Sequence, residues 1–231
     1  MKVFPDDFVD KIICFDCLKV MKYIPDKAID LVITDPPYGE KIGKQGFTNS
    51  KHPMDHGGLA KRTLYKSHDL SWDNFTPTQE YFDEIIRISK NQIIFGGNFF
   101  TKFLFPSRGW IVWDKKVLDK YSNDFADCEL VWTSFQKPIR IIRWLWHGMI
   151  QQDMKNKEKR FHPTQKPVGM LIKILEKYAK EGDIICDLFV GVGSVALASI
   201  KTGHHFIGID NNLEYATIAR KRIVDMEKNE I

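Results

Sequence analysis

Short apolar runs recur along most of the chain, and each is bounded by polar or glycine-containing segments. Runs of this kind, rich in β-branched side chains, are typical of buried strands. They occur at residues 12–15, 31–34, 92–95, 110–113, 129–132, 183–186 and 205–209. The pattern therefore predicts a strand at each of these places.

Helical periodicity appears in the last third of the chain. Residues 167–180 carry apolar side chains at helical spacing behind Pro167, which suits the first turn of a helix. Residues 194–202 form a second predicted helix, closed by Gly203, and residues 212–228 form a third with an apolar and a charged face. The alternation of strand and helix predicts an α/β fold with an open, mostly parallel sheet and helices on both faces.

Two segments interrupt this alternation. Residues 40–77 are polar and rich in Gly, Lys, His and Ser, and they are too long for an idle connection. Residues 137–163 combine basic and aromatic side chains. A chain of 231 residues is near the usual upper size for one hydrophobic core. We therefore interpret residues 1–231 as a single domain in which 40–77 is a functional insertion and 137–163 is a second candidate insertion.

Composition narrows the class of protein. Apolar residues make up 43% and charged residues 28%, which excludes a disordered chain, a collagen-like repeat and a disulfide scaffold. The net charge of +4 permits a polyanionic partner without requiring one. There is no apolar stretch of membrane-spanning length, and Pro5, Asp6 and Asp7 stand where a signal peptide needs an apolar run. We expect a cytoplasmic protein that does not bind a membrane.

Cysteine and histidine do not predict a metal site. Cys14 and Cys17 form a C-x-x-C pair, but Cys128 and Cys186 stand alone in apolar runs, so a second pair that would complete a tetrahedral site is missing. The histidines of the segment 40–77 have a spacing that fits no standard ligand set. The interpretation is four free cysteines and no metal.

A glycine turn follows the strand at 183–186. The strand leads to Asp187, then to Gly191 and Gly193, and then directly into a predicted helix, while the next strand ends at Asp210. Glycines let the backbone approach a ligand, and an acid after the next strand is placed to accept hydrogen bonds from a ribose diol. The pattern favours an adenosine-containing cofactor, although the third glycine of the dinucleotide fingerprint is absent. A glycine turn that only packs is the alternative.

A proline turn follows the strand at 31–34 and reads Asp35-Pro36-Pro37-Tyr38. Two prolines fix the backbone and leave carbonyl groups as acceptors. A carboxylate, a carbonyl and an aromatic face suit a planar group that bears an amine: Asp35 and the Pro36 carbonyl accept its two protons while Tyr38 stacks on the ring. Taken alone, the tetrapeptide also fits a simple turn with a partly buried tyrosine.

Four motifs in this order resemble the S-adenosylmethionine-dependent amino-methyltransferases of DNA. They are the Asp-Pro-Pro-Tyr turn and the segments 161–167, 187–193 and 206–210. Because the catalytic motif precedes the cofactor motif, the order resembles the beta group of that family. Where the family usually has proline after the first acid, this chain has Leu188, and its glycine turn ends in Val-Gly-Ser-Val instead of Ser-Gly-Thr-Thr.

The resemblance implies a Rossmann-like methyltransferase fold, S-adenosylmethionine as cofactor and a set of site residues. The implied catalytic residues are Asp35, Pro36, Pro37 and Tyr38. The implied cofactor-binding residues are Asp16, Cys17, Asp35, Thr164, Lys166, Asp187, Phe189, Gly191, Gly193 and Asp210. For Thr164 and Lys166, a solvated helix N-terminus is an equally simple reading.

The resemblance also implies the substrate. Asp instead of Ser before Pro-Pro-Tyr favours N6 of adenine over N4 of cytosine, and double-stranded DNA is the expected partner. Basic side chains in 40–77 and in 140–160 are candidates for phosphate and base contacts, although a solvated basic face explains them too. The sequence leaves open a homodimer, a restriction enzyme of the same system, a cytosine-N4 enzyme and a nucleic-acid-binding protein without turnover. A nicotinamide dehydrogenase fits less well, because the third glycine is missing.

Overall fold

The computed structural model describes residues 3–39, 76–117, 126–147, 150–162 and 164–229. The chain divides into two compact units, one made of residues 1–36 and 78–231 and the other of residues 37–77. Most of the predicted insertion, residues 40–75, lies outside the described residues. The first unit contains the sheet.

In the described residues the sheet has eight strands, numbered along the chain. From one edge to the other they are β1 (Lys11–Cys14), β10 (His205–Asp210), β9 (Ile184–Asp187), β2 (Ile29–Thr34), β3 (Ser89–Phe95), β5 (Cys128–Thr133), β4 (Trp110–Asp114) and β6 (Arg140–Arg143). Every neighbouring pair is parallel except the two that involve β5, which runs against β3 and β4. The prediction of an open, mostly parallel sheet is confirmed.

Five α-helices lie in the described residues: α1 (Cys17–Met21), α2 (Gln79–Ile88), α3 (Val168–Tyr178), α4 (Ser194–Lys201) and α5 (Leu213–Asn229). The helix α3 contacts α4, and α4 contacts α5, while α1 contacts α2. The crossovers through α4 and α2 run in opposite directions along the sheet, and right-handed crossovers therefore put these helices on opposite faces. The prediction of helices on both faces is confirmed.

The core lies between the sheet and α3. In this helix Leu171, Ile174 and Leu175 are fully buried, and they pack with Leu31 and Ile185 of the two central strands. Complete burial of one such side chain stabilises the fold by about 1.5–3 kcal/mol relative to an exposed one. The apolar spacing that predicted α3 is thus the same spacing that fixes it on the sheet.

Several elements were not predicted. Part of the segment 137–163 belongs to the sheet, because β6 (Arg140–Arg143) pairs with β4 and forms one edge of the sheet. It also contains a small hairpin of β7 (Trp146–His147) and β8 (Ile150–Gln151). The helices α1 and α2 were missed as well. None of the helices in the described parts of the chain combines the length and apolar character needed to cross a bilayer.

The chain reverses its direction of winding between β9 and β2. From β9 it passes through α4 to β10 on one side, and from β2 it returns through α2 to β3 on the other side. In open α/β sheets the crevice at such a point, outside the carboxyl ends of the strands, is where ligands bind. The glycine turn follows β9 and the proline turn follows β2, so both motifs start at this crevice.

Candidate active site

The glycine turn after β9 is shaped by two residues with positive φ. Gly191 has φ +49° and Gly193 has φ +84°, a region that favours glycine. A Cβ at Gly193 would lie 3.0 Å from the Cβ of Ala219, so glycine also permits the close packing of α4 against α5. At Gly191, the nearest atom to an added Cβ would be the Phe189 carbonyl oxygen at 4.0 Å. The turn is open there and tight at the start of the helix.

Asp210 holds the glycine turn against the end of β10. Its Oδ2 accepts a hydrogen bond from the Gly191 N–H at 2.8 Å, and its Oδ1 accepts one from the Asn212 N–H at 2.8 Å. Burial raises the pKa of Asp210, and the two N–H donors oppose this rise. A carboxylate has further lone pairs, which a ribose diol could use. The sequence did not predict that Asp210 also shapes the turn itself.

Asp187 is buried at the carboxyl end of β9, between the two turns. The Thr34 hydroxyl donates to its Oδ1 at 2.8 Å, and the Phe189 N–H donates to the same oxygen at 3.2 Å. The pKa of Asp187 is raised to about 7, because burial, together with the nearby carboxylates of Asp35 and Asp210, outweighs the two hydrogen bonds, which lower it. Asp187 therefore changes charge near neutral pH.

Thr34 joins the two turns. It is the last residue of β2, and its hydroxyl accepts the Leu188 N–H at 3.3 Å while it donates to Asp187. Asp35 comes directly after it in the chain. The distance between the proline turn and the glycine turn is thus set by hydrogen bonds of one buried side chain.

Lys166 forms an ion pair with Asp35. Its ammonium group contacts Oδ2 of Asp35 and lies 3.4 Å from Oε2 of Glu129, and its side chain is only 10% exposed. Burial lowers the pKa of Lys166, but Asp35 and Glu129 outweigh that effect and raise it to about 12. Lys166 is therefore charged at neutral pH and is not a solvated side chain. Its predicted contact with a cofactor stays a prediction.

Glu129 is a site residue that the sequence reasoning missed. Besides Lys166, it binds Lys115, which directly follows β4, with 3.1 Å between Lys115 Nζ and Glu129 Oε1. Burial alone would raise the pKa of Glu129, but the two ammonium groups lower it. A signal existed, because Glu129 is an acid in an otherwise apolar strand.

Asp16 and Cys17 lie at the same edge of the sheet, after β1. Asp16 caps α1 by accepting the Lys19 N–H at 3.1 Å, and the Phe15 N–H donates to the Asp210 carbonyl at 2.9 Å. Cys17 is buried, and burial together with the Asp16 charge raises the pKa of its thiol to about 12. A thiol of this kind is a poor nucleophile.

An aromatic pair borders the glycine turn. Phe189 stacks on Tyr81 of α2, with ring centroids 6.0 Å apart and planes inclined by 28°. Tyr81 was not predicted, because the helix that carries it was not predicted.

Two further predicted site residues are Thr164 and Tyr38. The hydroxyl of Thr164 forms a hydrogen bond with Nδ1 of His162 at 3.0 Å. Tyr38 belongs to the second unit, and its role stays a prediction.

The described residues contain no group of three or more His, Cys, Asp or Glu side chains that could hold a metal ion. The histidines of 40–77 lie outside the described residues. What the site offers is carboxylates and backbone N–H groups around an open glycine turn, next to a carboxylate held by an ammonium group. This arrangement suits a ligand with hydroxyl groups, a ring and a positive charge, next to a second ligand that donates protons.

Known proteins resemble the chain in sequence. A family model for N6 and N4 methyltransferases, described as DNA methylase, matches residues 112–221. The Type II methyltransferase M.HinfI of Haemophilus influenzae is 26% identical, over 99% of this chain and 72% of that relative. The putative methylase YubD of Escherichia coli strain K12 is also 26% identical, over 92% of this chain and 89% of that relative.

Solved structures resemble the fold. The complex of M1.HpyAVI with SAM has a TM-score of 0.56 and 21% identity, and the match covers 92% of this chain and 98% of that one. The PvuII DNA methyltransferase, named as cytosine-N4-specific, has a TM-score of 0.57 and 13% identity over 91% of this chain and 85% of that one. At these identities the similarity concerns the fold, and it confirms the predicted Rossmann-like architecture.

Proposed function

We infer that the chain is an S-adenosylmethionine-dependent DNA methyltransferase of the N6-adenine and N4-cytosine family, and we propose that it methylates N6 of adenine in double-stranded DNA. The predicted family resemblance is confirmed by the DNA methylase match and by relatives that cover nearly the whole chain. M.HinfI and M2.DpnII of Streptococcus pneumoniae are both named as Type II methyltransferases.

One observation carries the proposal. The strands β2 and β9 are parallel neighbours, so their carboxyl ends deliver Asp35 and the glycine turn to the same crevice. Thr34 and Asp187 join the two turns by a hydrogen bond of 2.8 Å. A transfer reaction between two ligands needs donor and acceptor held about 3–3.5 Å apart, and two turns fixed to each other meet this need.

The residues around the glycine turn fit S-adenosylmethionine. The turn is open at Gly191, Asp210 offers acceptors for ribose hydroxyls, and Phe189 with Tyr81 offers an aromatic surface for an adenine ring. When bound, this cofactor supplies a methyl group activated by a sulfonium. Asp16 adds negative charge for its cationic part, and Asp187, whose pKa is raised to about 7, adds negative charge only as it ionises above neutral pH.

The proline turn acts on the target amine. The nitrogen of an aromatic amine is a poor nucleophile, because its lone pair is delocalised into the ring. Hydrogen bonds from its two protons to the Asp35 carboxylate and the Pro36 carbonyl draw the nitrogen toward a tetrahedral form, which is more nucleophilic. After transfer, the Asp35 carboxylate is the group placed to take the proton that nitrogen loses. A covalent enzyme intermediate is not needed.

The DNA must present the target base outside the duplex. Rotation of a base out of the stack costs a few kcal/mol, which stacking on Tyr38 would partly offset. Basic residues of 40–77 and of 140–160 are proposed to bind phosphates, so affinity for DNA should fall steeply with salt. Deletion of part of 40–77 should weaken DNA binding and leave cofactor affinity unchanged. A substrate of this kind implies a cytoplasmic location.

Analysis of the methylated product tests the proposal. After incubation with a mixed plasmid pool and cofactor, digestion to nucleosides and mass spectrometry should show N6-methyladenine. N4-methylcytosine as the sole product would show that the target base is cytosine and not adenine. The fold similarity to the PvuII cytosine-N4 enzyme makes this the second candidate. The absence of any methylated nucleoside would favour a binding protein without turnover.

Two further experiments test the proposed partners. Sedimentation with and without DNA tests whether the chain forms a homodimer. Cleavage of methylated and unmethylated DNA by co-expressed nucleases tests whether a restriction enzyme acts in the same system.

A further inference from the structure

We propose that Glu129 is a positioning residue for methyl transfer, which acts through Lys166 on the orientation and charge of Asp35. The proposal rests on the proposed function, because it assigns a role in the reaction to a residue that does not touch either substrate. It also gives Lys166 a role in holding the proline turn, in place of a contact with the cofactor.

The side chains form a continuous chain of alternating charge. Lys115, the residue after β4, binds Oε1 of Glu129, and Oε2 of Glu129 lies 3.4 Å from Lys166, whose ammonium group contacts Asp35. Among the described residues, Glu129 Oε2 is buried without a hydrogen-bond partner, so its contact with Lys166 is an ion pair. The two cations and two anions balance.

The direction of β5 explains why Glu129 reaches the site. This strand runs against its neighbours, so its first residues lie at the edge where the parallel strands end. Glu129 is opposite Trp113 in β4, one position before that strand ends at Asp114. An acid near the start of the reversed strand therefore faces the same crevice as Asp35.

Lys166 is shared between two carboxylates, and this sharing is what Glu129 controls. If Glu129 were neutral, the ammonium group would act on Asp35 alone and would hold it more strongly in the charged, weakly basic form. If Lys166 were absent, Asp35 would lose the cation that contacts its Oδ2. Buried ion pairs add little net stability, because desolvation offsets their attraction. The network therefore matters more for the state of Asp35 than for the stability of the fold.

The charged groups around this network lie in or next to five elements of secondary structure. Among the described residues, Asp35 after β2 faces Lys166 and experiences the charge of Asp187 of β9. Lys166, which precedes α3, faces Asp35 and Glu129. Glu129 of β5 faces Lys115, which follows β4. Removal of single members thus has effects of opposite sign on Asp35.

Two variants test the proposal by the sign of their effect. In Lys166→Met the acid limb of the pH profile of the single-turnover rate should move to higher pH, because Asp35 loses a cation. In Glu129→Gln it should move to lower pH, because the cation is no longer shared. Both rates should fall by about ten- to a hundredfold at saturating cofactor and DNA, since the acceptor is misplaced. Cofactor affinity by calorimetry should stay within about threefold.

A matched control removes a different ion pair, which involves the other end of β2, the strand that leads to Asp35. Lys90 binds Asp30 near the amino end of β2, with 2.5 Å between Nζ and Oδ1. Lys90→Met should change neither the rate nor the pH profile. Unmoved or equal acid limbs in Lys166→Met and Glu129→Gln, or a Glu129→Gln rate within twofold of the parent, would overturn the proposal. So would a large loss of cofactor affinity in Lys166→Met, which would return Lys166 to the cofactor.

A third variant decides the matter if Glu129→Gln does not fold. In Lys115→Met, Glu129 keeps only Lys166, draws it from Asp35 and should move the acid limb to higher pH. An unmoved limb would overturn the proposal. A parent chain that methylates no DNA would overturn the proposed function and this inference together, whereas an active parent with unshifted variants would overturn the inference alone.

Discussion

The two turns that meet at the crevice are held in different ways. The glycine turn after β9 is fixed mainly by backbone N–H groups that donate to Asp187 and Asp210. The carboxylate of the proline turn is held by the side chain of Lys166, which is 131 residues away in the sequence. The glycine turn is thus held through its backbone. The proline turn instead carries a carboxylate whose charge state depends on a neighbouring side chain.

The largest effect is expected from a substitution that removes the negative charge of the proline turn. Asp35→Ala should lower the single-turnover rate of methyl transfer by about 10²–10³-fold or more, because an acceptor aimed at the reacting nitrogen is lost. Cofactor affinity, measured by calorimetry, should stay within a few-fold. Near-normal turnover would reject Asp35 as the amine acceptor and would remove one side of the comparison.

The second largest effect is expected from a change that removes the hydrogen bonds of the glycine turn to Asp210. Asp210→Ala leaves the N–H groups of Gly191 and Asn212 without their acceptor and removes the proposed ribose contact. Cofactor affinity should fall by about 1–3 kcal/mol, while the rate at saturating cofactor changes less. A dissociation constant equal to that of the parent would show that the carboxylate serves neither purpose.

A smaller effect follows from the charge of Asp187 and appears in the dependence of stability on pH. Its pKa is raised by burial to about 7 in the folded chain, so the native state holds a proton that the unfolded state releases above about 4. The resulting stabilisation is complete below about pH 4 and is lost as pH rises through about 7, by at most about 1.4 kcal/mol for each pH unit.

Asp187→Asn isolates this contribution. Urea unfolding at several pH values should show that the variant gains stability over the parent as pH rises toward 7, and that the difference is constant above that pH. A difference that does not depend on pH would mean that Asp187 ionises normally, and that its hydrogen bonds cancel the effect of burial on its pKa.

The smallest effect concerns the link between the two turns. Thr34→Val keeps the shape of the side chain but removes the hydroxyl that joins Asp187 to the Leu188 N–H. The free energy of unfolding should fall by about 1 kcal/mol. Thr34→Ser, which keeps the hydroxyl, should retain the transfer rate that Thr34→Val lowers. Equal rates in both variants would mean that the turns are positioned independently.

The sequence was sufficient for most of the sheet, because buried strands and amphipathic helices leave a clear apolar period. It failed at β6, whose sequence Arg-Ile-Ile-Arg is too short and too charged for that signal. It failed also at α1, a helix of five residues, and at α2, which follows the segment interpreted as an insertion. In such elements tertiary contacts outweigh local pattern.

The site shows the same division. The positions of Asp35, Gly191, Gly193 and Asp210 follow from the rule that ligands bind at the carboxyl ends of parallel strands. The pairing of Lys166 with Glu129 does not follow, because it depends on β5 lying between β3 and β4, out of chain order and reversed. Periodicity in one sequence carries no information about which strands become neighbours.

The outer position of β6 has a consequence for contacts between molecules. One side of this strand pairs with β4, and its other side has no strand partner among the described residues. Exposed strand edges tend to recruit further chains. If two copies paired antiparallel along this edge, Arg140 of one would lie opposite Arg143 of the other, and like charges directly opposite destabilise such pairing. In that register, Arg140 and Arg143, which flank the two isoleucines, would therefore oppose edge-to-edge pairing of two copies.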